Sequence, residues 1–156
     1  MPSRCQKLAQ LSWAERGLLL LACLMLLFTI LALRLVGFRR WHAVLARWGP
    51  IRGLPSDQEA DPLLRQACAT VRRMTAVAAL GAYRVNCLER SLVLWWLLGR
   101  LGIESDLRIG VQRDGDRLAA HAWVESGGLV LHEADDVRER FATFDHAILP
   151  LGPRRR

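Results

Sequence analysis

The chain has 156 residues, enough for one compact domain with a short appendage. Hydrophobic residues make up 52%, more than an ordinary soluble domain needs, and the excess sits near the N-terminus. The net charge of +7 rests on arginine and favours acidic partners, but no recognition motif stands behind it, so a nucleic-acid role is not expected.

Residues 17 to 33, "GLLLLACLMLLFTILAL", carry no charge, and the apolar character resumes past Arg34 as far as Phe38. As helix, the stretch to Phe38 spans about 33 Å against a hydrocarbon core of about 30 Å. A helix apolar all round must be buried in lipid or in protein. No small-residue cleavage site follows it, which sets it apart from a removed signal. Arg34, Arg39 and Arg40 would hold its C-terminal side in the cytoplasm. The expectation is membrane association through residues 17–38, at the inner membrane, with a buried helix capping a helical subdomain as the other reading. "RRWHAVLARW" then predicts a short basic and aromatic helix that suits a membrane interface or a packed surface equally.

"GPIRGLPSD" reads as a linker, with two glycines and two prolines. The expected organisation is an N-terminal helical region over 1–48, a linker over 49–60, a catalytic domain over 61–150 and a basic tail over 151–156. Asp61-Pro62 predicts a helix start, with Pro62 in the first position and the helix running to about Leu80, where "GAY" breaks it. In "YRVNCLERSLVLWWLLGRLG" Asn86 is a good N-cap, Glu89 follows three residues later, and Gly102 ends the helix after Arg100. Period two takes over in "SDLRIGVQR". Asp114-Gly115 predicts a hairpin turn, "RLAAHAWVE" a return strand, Gly127-Gly128 a second turn and "LVLHE" a third strand. Helices followed by an antiparallel meander make an α+β fold.

The four cysteines, Cys5, Cys23, Cys68 and Cys87, form neither CxxC pairs nor Cys/His clusters, so no zinc site and no other metal or cofactor is expected. They do not make a disulfide framework either, which suits a reducing compartment. Cys87 is the one in a special place. At a helix N-terminus, free N–H groups and the helix dipole favour the thiolate. Such a nucleophile needs a base, and the base needs a third group to fix its tautomer. On the return strand His121 shares a face with Ala119, Trp123 and Glu125, and the neighbouring alanines leave room around the imidazole. An acid after the next turn would complete the set. Cysteine at a helix start, histidine on an antiparallel strand and then an acid is the order of papain-like and transglutaminase-like sites. Trp95 and Trp96 read as core, Trp123 as a flank for His121, and His132 and His146 as loop residues. Glu89 and Arg90 read as first-turn surface charges, with Arg90 also placed to hold an anionic thiolate.

"NCLERSLVLWWLLGRLGIESDLRIGV" followed by "LAAHAWVESGGLVLHEADDVRERF" resembles the transglutaminase-like leader peptidases of lasso-peptide biosynthesis, from about Tyr83 to Asp145. The resemblance implies a papain-like core, with the Cys87 helix packed on an antiparallel sheet. It implies that Cys87 attacks the scissile carbonyl of a precursor peptide and that His121 is the base. The family carries an aspartate where this chain has Glu133. Glu133 is therefore the expected third member, with Asp135 and Asp136 as alternatives. The backbone N–H of Cys87 would serve the oxyanion. The resemblance further implies a recognition module that grips the leader and a macrolactam-forming cyclase. The apolar N-terminus leaves the recognition module to a separate protein. Two other functions fit the same residues: a transglutaminase-like acyltransferase, and a non-catalytic membrane-bound adaptor with a degenerate site.

Overall fold

The computed structural model describes residues 12–48, 57–114, 117–133 and 136–143. Four helices come first: α1 (Trp13–Leu35), α2 (Phe38–Arg47), α3 (Asp57–Leu80) and α4 (Cys87–Arg100). Three strands follow, β1 (Asp106–Asp114), β2 (Arg117–Ser126) and β3 (Leu129–Leu131), and then a one-turn helix α5 (Val137–Arg140) and the two-residue β4 (Ala142–Thr143). This is the expected α+β order. Residues 49–56 of the expected 49–60 linker, the hairpin tip, Asp135, His146 and the basic tail lie outside the described residues, while residues 57–60 are helical.

α1 begins at a capping box, in which Ser12 Oγ accepts from the Glu15 N–H at 3.2 Å and Glu15 returns the favour to the Ser12 N–H at 3.0 Å. One face of α1, made by Ala22, Met25, Leu26 and Thr29, is buried. It joins a single core with Trp41 and Leu45 of α2, Ala67, Val71 and Met74 of α3 and Leu92, Val93, Leu97 and Leu98 of α4. The boundary over 49–60 therefore does not separate two cores. Thr29 Oγ1 accepts a hydrogen bond from Trp41 Nε1 at 3.2 Å inside this core, fixing α2 across the end of α1. Buried polar groups keep partners because an orphaned one costs about 1–3 kcal/mol.

Pro62 was expected in the first position of α3, but the helix starts one turn earlier, at Asp57, and Pro62 lies inside it. So near the N-terminus the missing N–H forfeits a single bond, and Gln58, Glu59 and Ala60 are good helix formers that carry the helix back over it. At the other end Ala82, with φ +60°, turns the chain out of α3 after Gly81.

The sheet has the order β3-β2-β1-β4, all antiparallel. Asp114 pairs with Arg117 and Gly110 with His121, the register of a two-residue hairpin. Gly127 and Gly128, at φ +55° and +79°, make the second turn. Two features depart from the expected meander. β3 ends at Leu131 instead of Glu133, because His132 takes φ +68°. The last strand, β4, returns to the far side of β1 and pairs at Gly110 and Val111. Val124 and Leu131 turn into the helical core, so the sheet packs directly on α4.

Candidate active site

Cys87 is the first residue of α4, half-buried. Asn86 Oδ1 accepts from the Glu89 N–H at 2.8 Å, and Glu89 Oε2 accepts from the Asn86 N–H at 3.1 Å. Tyr83 Oη donates to Glu89 Oε1 at 2.8 Å. Glu89 is thus not the surface charge expected of it: it is 5% exposed and locks the chain ahead of the cysteine into one geometry. The capping leaves the first-turn N–H groups of Cys87 and Leu88 without a hydrogen bond among the described residues. Free N–H groups at a helix N-terminus attract negative charge.

One turn further on, Ser91 Oγ donates to the Ala122 carbonyl oxygen at 2.9 Å, in a buried bond. This bond ties the first turns of α4 to β2 at the residue after His121. His121 lies against Phe141 (ring centres 5.1 Å apart) and Trp123 (6.2 Å). Trp123 is fully buried and donates through Nε1 to Glu125 at 2.9 Å, so it flanks the imidazole as the period-two pattern indicated.

His121 Nε2 is 3.4 Å from Glu133 Oε1. The same oxygen accepts from Arg90 Nη2 of α4. Arg90 is likewise no surface charge. It is half-buried; burial draws its pKa down, and the neighbouring Cys87 charge raises it. Arg90, three residues after Cys87 on the same helix, is bonded to Glu133, which meets His121. Of the alternative acids, Asp136 is exposed and 3.8 Å from Arg140. No hydrogen bond joins Cys87 to His121. Nε2 faces the carboxylate, which leaves Nδ1 as the other nitrogen of the imidazole.

The turn at His132 explains how Glu133 arrives there. Continuing β3 in the register Val124↔Leu131 would set Glu133 beside Ala122, on the face opposite His121. The left-handed residue breaks that alternation. His132 itself is half-buried, its Nε2 is buried without a partner among the described residues, and burial first, then the charges of Arg90 and Arg72, lower its pKa against a backbone hydrogen bond that raises it. His132 lies in a bend, as expected of a loop residue, and its backbone is left-handed. Burial lowers the His121 pKa as well, followed by repulsion from Arg90 and Arg140. A neutral imidazole at neutral pH is the form a general base requires.

A cysteine at a capped helix start, an imidazole on the second strand and an acid after the third occur in this chain order within residues 32–144, which match the transglutaminase-like superfamily. The chain belongs to that superfamily. The match begins in the last turn of α1 and ends past β4, so transglutaminase-like describes α2, α3, α4 and the whole sheet, while α1 lies outside it except for that last turn. No curated protein and no solved structure is matched. Transglutaminase-like domains typically act as cysteine proteases or acyltransferases, and this chain has residues suited to either chemistry. Among the described residues no three His, Cys, Asp or Glu side chains gather as a metal site.

Proposed function

We propose that this transglutaminase-like protein is a cysteine endopeptidase that removes the leader from a lasso-peptide precursor, with Cys87, His121 and Glu133 as its catalytic residues. The observation that carries the reading is Glu133 Oε1, shared between Arg90 beside Cys87 and Nε2 of His121. The resemblance of "CLERSLVL" and "AHAWVE" to leader peptidases supports the substrate class. In the proposed reaction His121 Nδ1 takes the proton of the Cys87 thiol as Sγ bonds to the scissile carbonyl carbon. The carbonyl π pair moves to oxygen, where the Cys87 N–H stands ready. The C–N bond then breaks, and the imidazolium protonates the departing amine. Water, deprotonated by the same imidazole, cleaves the thioester and returns the proton to sulfur. As imidazolium forms, Glu133 stabilises it.

The reading places the catalytic domain in the cytoplasm, with a separate leader-recognition protein delivering the precursor and a cyclase closing the macrolactam ring. The test incubates the full chain with precursor and recognition protein and follows leader and core by mass. Two fragments from the native chain and none from Cys87→Ala are expected. Fragments persisting with Cys87→Ala would move catalysis elsewhere or to a contaminant. An amine adduct in place of fragments would indicate acyl transfer.

A further inference from the structure

The face of α1 turned away from the core is apolar along its whole length. Leu20, Leu24, Leu27, Phe28, Leu31 and Leu35 are 45–73% exposed and repeat at helical spacing over about 33 Å from Trp13 to Leu35. So large an apolar stripe needs a cover. By length and composition this is the one described helix able to cross a membrane. Its packing argues against a crossing. The opposite face, Ala22, Met25, Leu26 and Thr29, is already spent in the protein core, and the Thr29–Trp41 bond is buried there. Glu15 at its start pairs with Arg73 of α3 at 3.2 Å, so a charged helix runs alongside it. Hydrocarbon on all sides would strip these contacts away.

The charges around the stripe identify its cover. Residues 12–48 contain five arginines and one acid, Glu15, which Arg73 occupies. Arg34 ends α1, while Arg39, Arg40 and Arg47 lie on the exposed face of α2, whose other face buries Trp41 and Leu45. None of these four arginines pairs with a carboxylate among the described residues. Trp48 follows, 54% exposed, and Trp13 stands at the far end of the stripe, 86% exposed. Apolar stripe, unpaired cations and exposed indoles together match the boundary between headgroups and acyl chains of an anionic bilayer.

We infer that α1 lies in the plane of an anionic membrane surface, its leucine stripe in the acyl boundary and the α2 arginines on lipid phosphates, so that the protein is docked on one leaflet and does not span. This inference does not depend on the peptidase reading. It is tested by flotation of the full chain with phosphatidylcholine vesicles, with and without about 30% phosphatidylglycerol. The native chain should float with the anionic vesicles, and protease added outside should reach tags at both termini. Leu24→Glu combined with Leu31→Glu should stay unbound while its circular dichroism melt is unchanged, since both positions are exposed. Arg39→Gln and Arg40→Gln should each weaken binding roughly fivefold, and salt should mimic them. Three results would overturn the inference: no flotation, protection of one terminus as a span requires, or a soluble dimer that the double glutamate variant dissociates, which would make a second copy the cover.

Discussion

Arg90 acts in two directions at once. Its guanidinium occupies Glu133 and, after burial as the larger cause, helps to push protons off His121. Removing the charge in Arg90→Met relieves that repulsion and frees the carboxylate to favour imidazolium. Both changes raise the His121 pKa. The acid limb of kcat/KM should therefore start below the ordinary histidine value of 6.5 and move up in Arg90→Met, while Arg90→Lys keeps it low. A limb that stays in place would remove Arg90 from the account of the imidazole. For Glu133 the informative pair is Glu133→Gln and Glu133→Asp. The amide keeps the volume and loses the charge that stabilises imidazolium, so kcat should fall by about 10²- to 10⁴-fold. The shorter acid should retain more of the activity, and equal losses in both would point to a merely structural role. Cys87→Ala should abolish turnover and leave the thermal midpoint nearly in place, because the thiol is half-buried and makes no hydrogen bond to His121.

Among the elements, β1 and β2 set the position of the imidazole, and Gly110 is where they are most tightly constrained. A Cβ there would come within 2.9 Å of both Phe141 Cβ and the Trp123 ring, and 3.1 Å of the Ala142 carbonyl oxygen. Gly110 pairs with His121 across the ladder, and the rings of both side chains it would strike pack on that histidine. Gly110→Ala should cost about 1–3 kcal/mol in urea denaturation and reduce turnover of the protein that remains folded. Wild-type stability in that variant would mean that β4 and Phe141 can draw back freely. The elements readable from sequence are those with local causes. Asn86 and Glu89 announce the start of α4, Asp114-Gly115 the hairpin and Gly127-Gly128 the next turn. β4 has two residues and no period to read, and it exists because Gly110 lets the chain come close. The end of β3 was equally hidden, since nothing in "LVLHE" signals that His132 leaves the β region. Cys87 and His121 stood out by position. Glu89 and Arg90 did not, because charged residues in a first turn normally face water, and their burial comes from Tyr83 and Glu133, six and 43 positions away.

At the scale of the whole molecule, three histidines titrate in the same direction. Burial lowers the pKa of His42, His121 and His132 below the ordinary value of 6.5, and arginine charges add to this at the last two. Unfolding returns each ring to water and to that ordinary value. Below about pH 6.5 the unfolded chain therefore binds protons that the folded chain refuses, and stability must drop as pH falls towards the folded pKa values. Above 6.5 the rings are neutral in both states and contribute no slope. Glu125, held low by Arg138, Trp123 and Arg108 against burial, adds its own loss only beneath the carboxylate value of 4.5. Urea midpoints should thus be level between about pH 7 and 8 and decline between about 6.5 and 5, before any carboxylate titrates. His132→Asn isolates one contribution, since asparagine tolerates the left-handed φ and carries no titrating group. Its midpoint should fall less steeply over the same interval, with the native circular dichroism spectrum preserved. A native chain equally stable at pH 7.5 and 5.5 would mean that these imidazoles accept protons in place, and the neutral base assigned to His121 would lose its physical ground.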